Sequence, residues 1–272
     1  LRATLIEKHK QLTKDADFTS EPETLNEYDV LFIPGSGTIG IESIFWSSRK
    51  RINVIGHDGA FTKRWNKLAS LYSPYNRSNY TEKPVSLYCQ LETSVNKTFE
   101  KEGCIVDAIS SFPYYDIPKN TKIFATCSNK QLGSIPGLAI VCVRKDYWDE
   151  LKSDDIFSYL NLSRYKKYSL KNQTPSTPPM TIYKHLYDTI YDFDLEKLRN
   201  KIDKNSEKII KVFGGEPSPV FHIDKNLIPI QLANKWNLYG LKTSSSNYSI
   251  FTYSCEDNLY QEFLKDFKEC QS

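Results

Sequence analysis

The stretch DVLFIPGSGTIGIESIFW, residues 29–46, runs from an apolar segment through a glycine-rich turn into a helical pattern. Gly35, Gly37 and Gly40 satisfy the spacing G-x-G-x-x-G, and Asp58 stands about 20 residues further on, as in a dinucleotide-binding unit. A strand-to-helix turn of this kind binds phosphate on any molecule, because it presents backbone N–H groups and the positive end of a helix dipole. Alone, the pattern is a weak signal, since a tight turn that needs small residues also explains it.

Composition narrows the class of protein. The chain of 272 residues suffices for one large domain, or for one large and one small domain. Its net charge is +3 and its basic residues are dispersed, which does not favour a nucleic-acid partner. The six cysteines form no C-x-x-C pair, which predicts reduced core thiols. No apolar run is long enough to span a membrane and no signal peptide opens the chain, so we expect a cytoplasmic protein without a membrane partner.

Short apolar runs alternate with helical patterns before residue 150. The runs are DVLFIP, INVIGH, VSLYCQL, CIVDAIS, KIFATCS and LAIVCVRKD. They lack clean polar alternation, which is typical of strands buried on both faces of a largely parallel sheet. Helices are expected at residues 38–48 and 61–72. The residues expected on their buried faces are Ile41, Ile44 and Phe45 in the first and Trp65, Leu68 and Leu71 in the second.

The pattern changes after residue 150. The stretch at residues 159–180 is polar and contains three prolines, which predicts a loop. A long helical tract is expected from Ile182 to about Phe213, with a break near residues 192–194. Strand, helix, strand and terminal helix follow. The predicted domains are a large domain over residues 1–192 and a small α+β domain over residues 193–272.

Two residues add chemistry that the turn alone lacks. Asp107 ends the run CIVD, so its carboxylate should emerge at the carboxyl edge of the sheet, where open α/β folds bind ligands; the alternative is a helix cap. Lys130 follows the next buried run, where a lysine is costly to bury unless it is paired or used covalently; the alternative is a solvated loop lysine. A phosphate turn, a strand-end aspartate and then a lysine is the order in which fold type I pyridoxal phosphate (PLP) enzymes supply their cofactor contacts.

Local motifs support this interpretation. The segments GSGT, GHDGAFTKRW, LETS, VDAISSF, SNKQLGSIPG and STPP resemble, in order, the landmark motifs of class V aminotransferases. The nearest likeness is to the branch of 2-aminoethylphosphonate transaminase and alanine–glyoxylate aminotransferase, over residues from about 30 to about 190. The resemblance implies the α/β fold of fold type I PLP-dependent transferases, with a mostly parallel sheet, helices on both faces and a small C-terminal α+β domain.

The resemblance also implies residue roles. Lys130 would hold PLP covalently and move protons, Asp107 would pair with the pyridine nitrogen, and Phe61 would stack on the ring. The other implied cofactor contacts are Ser36, Gly37, Thr38, Thr93, Ile109, Asn129 and Thr177. Of these, Thr177 would reach the cofactor of a neighbouring subunit, so a homodimer with shared sites is expected. The expected partners are small amine and oxo-acid substrates, and no metal ion is expected.

The chain also departs from the family pattern. The N-terminal segment with a T-P-G-P motif is absent before Leu1, and residues 61–92 and 93–107 are short stretches for the family. In the C-terminal domain, the family places an arginine that grips the substrate carboxylate. The matching stretch here is SIFTYSC, with Phe251 or Thr252 at that place.

Three functions therefore compete. The favoured one is an aminotransferase that transfers an amino group from a small amine or amino acid to an oxo acceptor. Its substrate either lacks the usual carboxylate contact or is bound by another cation, such as Arg64, Arg144 or Arg164. The second is a PLP-dependent lyase or decarboxylase acting on a small amino compound or a modified sugar or nucleotide, because one cofactor site supports several reactions. The third is a NAD(P)-binding domain or an inactive scaffold, which leaves Lys130 and STPP unexplained.

Overall fold

The computed structural model describes residues 25–72, 83–153, 157–242, 246–254 and 256–270. By its internal contacts the chain divides into two compact units, Leu1–Phe193 and Asp194–Ser272. This division falls one residue after the expected domain boundary. In the described ranges, no helix is long and apolar enough to cross a membrane.

A six-stranded sheet forms the centre of the first unit. The strands described in this unit are β1 (Tyr28–Pro34), β2 (Ile52–Ile55), β3 (Val85–Cys89), β4 (Leu91–Glu92), β5 (Lys97–Thr98), β6 (Ile105–Asp107), β7 (Ile123–Cys127) and β8 (Leu138–Arg144). The order in the sheet is β1-β8-β7-β6-β3-β2, and β4 pairs with β5 as a separate hairpin. The pairs β2–β3, β3–β6 and β6–β7 are parallel, whereas β8 runs antiparallel to both β1 and β7. The prediction of a mostly parallel sheet is therefore confirmed.

Helices cover both faces of this sheet. They are α1 (Gly37–Ser47), α2 (Ala60–Tyr72), α3 (Leu162–Ser169) and α4 (Met180–Tyr191). Alternate strand residues point to opposite faces, so Leu31 packs in one core cluster with α1, α2 and α3, while Val30 packs in another with α4. This arrangement confirms the predicted α/β class.

Two local predictions are wrong. In α2, Leu71 is 57% exposed, because it lies six residues after the buried Trp65 and therefore on a different side of the helix. Tyr72, seven residues after Trp65, packs against the core instead. The predicted loop at residues 159–180 contains α3, whose first turn is capped by the Asn161 side chain accepting the Arg164 N–H. The prolines of that stretch come after this helix has ended.

The second unit is a small α+β structure. Its elements are α5 (Leu195–Phe213), β9 (Val220–Asp224), α6 (Ile230–Lys235), β10 (Asn247–Phe251) and α7 (Asp257–Glu269). Strands β9 and β10 pair antiparallel, and the helices cover an apolar cluster of their own. The end of α4 and the start of α5 confirm the predicted break at residues 192–194. Gly214, with φ of 75°, ends α5, a backbone conformation that glycine adopts without strain.

The cysteine prediction holds for most of the thiols. The free and buried cysteines are Cys89, Cys104, Cys127 and Cys142. Cys270 is also free but exposed, so it is not a core thiol as predicted. Cys255 lies outside the described residues.

Candidate functional site

The glycine-rich turn joins β1 to α1. Gly35 has φ of 138°, and its N–H donates to the Gly137 carbonyl at 2.8 Å, which ties the turn to the loop before β8. Helix α1 begins at Gly37, and the side chain of its N-cap residue, Ser36, makes no capping hydrogen bond. The first N–H groups of a helix have no partner within the helix, so this turn has the geometry of an anion site.

Ile109 connects the turn to the strand-end aspartate. A Cβ atom on Gly37 would lie 2.8 Å from Ile109 Cδ1, so only a glycine lets this side chain approach the turn so closely. The Ile109 N–H donates to Asp107 Oδ1 at 3.0 Å. The turn and the carboxylate, 70 positions apart in the chain, are thus joined through one residue.

Asp107 is the last residue of β6 and is 3% exposed. Its Oδ2 accepts the indole N–H of Trp65 at 2.8 Å. Burial raises the pKa of this carboxyl to about 6, although hydrogen bonds from Ile109 and Trp65 act to lower it. Asp107 forms no ion pair with any residue that the structure describes. A buried carboxylate without a protein cation is suited to a cationic ligand.

The alternative role of Asp107 as a helix cap does not match the structure. The residues after it form turns, with the Phe112 N–H donating to the Ala108 carbonyl, and no helix is described between β6 and β7. The bond from the Ile109 N–H to the carboxylate therefore closes a local turn of the kind that aspartate side chains form.

Helix α2 brings three side chains towards the turn and Asp107. Phe61, Arg64 and Trp65 follow helical spacing and share one face. The Phe61 and Trp65 ring centroids are 6.3 Å apart, and the Arg64 guanidinium lies 5.3 Å from the Phe61 ring centroid. Arg64 Nη1 donates to Thr38 Oγ1 at 3.3 Å. One helix face therefore supplies an aromatic ring, a cation and the indole that binds Asp107.

Glu92 holds the start of this helix. It is 1% exposed, and its Oε2 accepts from the Thr62 N–H at 2.8 Å and from Thr62 Oγ1 at 3.0 Å. Its Oε1 accepts from Ser94 Oγ at 2.6 Å. A Cβ atom on Gly59 would overlap the Glu92 side chain, so the glycine leaves room for the carboxylate. A carboxylate at a helix N-terminus is stabilised by the unpaired N–H groups and the helix dipole there.

Lys130 leaves the end of β7 next to the strand that carries Asp107. β6 and β7 are parallel neighbours, with Asp107 opposite Ala125, so both side chains leave the same edge of the sheet. Lys130 is half-buried. The pKa of the Cys127 thiol is raised, first by burial; the Lys130 ammonium acts to lower it and the Asp107 carboxylate to raise it. Both charges therefore lie within electrostatic range of one thiol.

The remaining predicted contacts lie around this edge or beyond it. Asn129 is exposed beside Lys130, and Thr93 is half-buried in the turn between β4 and β5. Thr177 is exposed in the irregular stretch before α4. The roles expected for these three residues stay predictions. Asp58, the acid of the dinucleotide pattern, is exposed and pairs with Lys63 at 3.4 Å.

Sequence reasoning missed two residues of this site. Trp65 was expected to pack in the core, and Glu92 was not singled out as a site residue. Both stand in quoted motifs, GHDGAFTKRW and LETS, but their partners are distant in the chain and cannot be identified from spacing. Glu92 directly follows the apolar run VSLYCQL, and burying a carboxylate requires hydrogen-bond donors. This position was the one sign in the sequence that Glu92 has partners.

The place of the missing arginine lies in the second unit. Phe251 is half-buried at the end of β10. Thr252 is fully buried, with its hydroxyl donating to the Ser218 carbonyl at 2.7 Å and its carbonyl accepting from Asn205 at 2.8 Å. Thr252 therefore has a structural role, whereas the half-buried Phe251 ring packs against the Tyr239 and Tyr253 rings.

The three alternative cations differ in their surroundings. Arg144 forms two hydrogen bonds to the Asp146 carboxylate, at 2.7 and 2.6 Å. The Arg164 guanidinium lies over the Phe157 and Tyr168 rings. Arg64 is the one of the three beside the glycine-rich turn.

Comparison of the sequence with known proteins gives partial matches. No family model matches the chain. It is 27% identical over 204 residues to the soluble hydrogenase 42 kDa subunit of Anabaena cylindrica, covering 60% of this chain and 53% of that protein. It is 35% identical over 114 residues to an uncharacterized aminotransferase of Methanocaldococcus jannaschii, covering 39% of this chain and 29% of that protein. The chain thus spans about half the length of the first relative.

Comparison of the structure gives matches over nearly the whole chain. A phosphoserine aminotransferase of Cytophaga hutchinsonii has a TM-score of 0.76 at 16% identity, covering 98% of this chain and 87% of that one. An alanine–glyoxylate aminotransferase of Nostoc sp. has a TM-score of 0.72 at 14% identity, covering 100% and 86%. A PLP-bound phosphoserine aminotransferase of Trichomonas vaginalis has a TM-score of 0.71 at 13% identity, covering 98% and 87%. The chain has the fold of these aminotransferases, which confirms the predicted fold type I class.

Proposed function

We propose that this chain is a PLP-dependent aminotransferase that transfers an amino group from a small amine or amino acid to an oxo acceptor. The observation that carries the proposal is the buried Asp107 carboxylate, which has no protein cation in the described ranges and lies at the sheet edge that also presents the glycine-rich turn and Lys130. The aminotransferase fold supports the same interpretation.

The residues present fit PLP. Ser36, Gly37 and Thr38 would hold the phosphate with backbone N–H groups and hydroxyls at the start of α1. Phe61 would face the pyridine ring from α2. Asp107 would accept the ring N–H, and the pyridinium would supply the missing cation for this buried carboxylate. When bound, PLP supplies an electron sink that makes the C–H bond of a substrate amine acidic.

The protein's own groups would perform the remaining steps. The Lys130 amine would attach the cofactor covalently and, once a substrate amine has displaced it, would carry the proton between the substrate α-carbon and C4′ of the cofactor. The helix start and the turn would fix the phosphate, so the ring keeps its position while this proton moves. Trp65 and Ile109 would keep Asp107 oriented through their hydrogen bonds.

The choice of substrate depends on the missing arginine, which in the family binds the substrate carboxylate. Phe251 and Thr252 offer no cation at the place of the family's arginine. We expect poor affinity for simple α-amino acids, since a guanidinium–carboxylate pair contributes about 1.5–3 kcal/mol per charged hydrogen bond. Among the three alternative cations, Arg64 is the one that contacts the turn, through Thr38.

The missing arginine also favours a second candidate, a PLP-dependent lyase or decarboxylase acting on a small amino compound or a modified sugar or nucleotide. One cofactor site supports either outcome. Product analysis separates the two, because an aminotransferase needs an oxo acceptor to complete turnover and a lyase does not. A homodimeric assembly and a cytoplasmic location are part of this proposal.

Mass spectrometry after borohydride reduction tests the proposal directly. The chain is incubated with PLP, reduced and digested, and we expect the pyridoxyl group on Lys130. Lys130→Ala should lose the label and the near-ultraviolet absorbance of the bound cofactor. Lys122→Ala is the matched control, because Lys122 stands just before the same strand, at its opposite end. A label on another lysine, or no label, would overturn the proposal.

A further inference from the structure

Trp65 makes a specific contact at the centre of the site. Its side chain is 0% exposed and packs in the core cluster between α2 and the sheet. Its indole Nε1 donates to Asp107 Oδ2 at 2.8 Å, while the Ile109 N–H donates to Oδ1 at 3.0 Å. Each carboxylate oxygen is therefore held by one of these two N–H groups.

The position of Trp65 is fixed by α2 itself. The first turn of this helix is bound to the buried Glu92 carboxylate through the backbone and hydroxyl of Thr62. At the last turn, the Tyr72 hydroxyl donates to Glu42 Oε1 on α1 at 2.8 Å. The indole therefore reaches Asp107 from a helix that is held at both ends.

The chemistry of the indole matters as much as its position. An indole N–H is a donor only and carries no charge. It stabilises the ionised form of Asp107 without neutralising it, whereas a lysine or arginine at this place would compete with a cationic ligand. The contact thus leaves the negative charge available to another group.

We propose that Trp65 is a positioning residue that holds Asp107 in the orientation and ionised state in which the carboxylate receives the ring nitrogen of the cofactor. This inference rests on the proposed function, because it assigns the buried carboxylate to a PLP ring.

Several groups around Asp107 besides Trp65 also raise or lower its pKa. Burial raises the pKa of Asp107 to about 6, and the N–H groups of Ile109 and Trp65 and the thiol of Cys89 on β3 lower it. The Glu92 carboxylate raises it, and Cys127 on β7 also lies within electrostatic range. Loss of one hydrogen bond to the charged form should raise the Asp107 pKa further, by about one to two pH units.

The first measurement follows indole ¹⁵N–¹H signals in the chain without cofactor. The protein has four tryptophans, so Trp65→Phe identifies the signal of interest. This signal should shift with a midpoint near pH 6, and the shift should vanish in Asp107→Asn. Adding PLP should move the midpoint down by at least about one pH unit, because a neighbouring cation favours the ionised carboxylate. A Trp65 indole signal that does not titrate with Asp107, or that does not respond to PLP, would overturn the inference.

The second measurement is PLP affinity as a function of pH. Trp65→Phe keeps an aromatic ring but removes the N–H together with part of the buried indole. Because the N–H is the group that favours the ionised carboxylate, the low-pH loss of affinity should move up by about one to two pH units. Trp148→Phe is the matched control, because Trp148 Nε1 donates to Asp29 Oδ2 at 2.8 Å in the same unit. Its pH profile should equal that of the unmodified chain.

The outcomes separate the two proposals. If the unmodified chain binds PLP and Trp65→Phe keeps the same pH midpoint and affinity, Trp65 is only a core residue and this inference fails alone. If the unmodified chain does not bind PLP, the proposed function fails and this inference fails with it.

Discussion

Glu92→Gln is the change that most directly tests how α2 is held in the site. The glutamine side chain has nearly the same shape but carries no charge, and its NH₂ group cannot accept a hydrogen bond. In the structure, both Glu92 oxygens are acceptors, with bonds from Thr62 at 2.8 and 3.0 Å and from Ser94 at 2.6 Å. Whichever way the amide is oriented, its NH₂ group faces a backbone N–H. On one side this is the N–H of Thr62, and on the other those of Phe61 and Ser94, at 3.4 and 3.3 Å.

The expected cost follows from these contacts. Hydrogen bonds to a charged group contribute about 1.5–3 kcal/mol each, and a carboxylate at a helix N-terminus adds about 0.3–1 kcal/mol. Losing the charge and the acceptor for at least one donor should therefore destabilise α2 by about 3 kcal/mol, since relaxation recovers part of the loss. Because 1.4 kcal/mol corresponds to a factor of ten, the opening equilibrium of this helix should rise by about 100-fold.

Hydrogen exchange measured by mass spectrometry on the chain without cofactor reads this out locally. Peptides from residues 60–72 should exchange much faster in Glu92→Gln, while peptides from β8 should change little. Glu42→Gln is the control, because Glu42 is half-buried and accepts one hydrogen bond from the neutral Tyr72 hydroxyl, at the other end of the same helix. PLP affinity should also fall, since Phe61 and Trp65 lie on α2. If Glu92→Gln exchanges no faster in α2 than Glu42→Gln, Glu92 does not anchor the helix.

Two further predictions concern cations. Arg64 donates to Thr38 in the turn that is proposed to hold the phosphate. Arg64→Gln should therefore weaken the binding of PLP by about fivefold, as expected for a partly solvated charge contact, and should leave the binding of pyridoxal without phosphate unchanged. Arg49→Gln is the exposed control, and equal effects on both ligands would refute a role at the phosphate. Thr252→Arg should lower the melting temperature strongly, because it buries a charge where the Thr252 hydroxyl now bonds to Ser218. Phe251→Arg should melt close to the unmodified chain, because Phe251 is only half-buried. The reverse order of stability would contradict the burial assigned to these two positions.

Much of the fold could be predicted from the sequence because its signals are local. The apolar runs that became β1, β2, β3, β6, β7 and β8 carry their pattern within a few residues. The same holds for the start of α1 after the glycine turn. The direction of β8 could not be predicted, since apolar strands pair in either sense. Helix α3 was missed because the prolines later in residues 159–180 outweighed the Asn161 cap and the buried Leu162 and Tyr165.

The site shows the same division between local and distant signals. The residues proposed to touch the cofactor stand in recognisable motifs, but the contacts that connect those motifs depend on packing. Ile109 fits against Gly37, Trp65 binds a carboxylate 42 positions later in the chain, and Glu92 fits beside Gly59. Each of these pairs joins a helix start or a helix face to the end of a strand, so none can be identified before the helices are placed on the sheet. This chain can therefore keep the full set only if α1 and α2 stay packed on β6 and its neighbours, and the expected local loosening of α2 in Glu92→Gln tests that dependence.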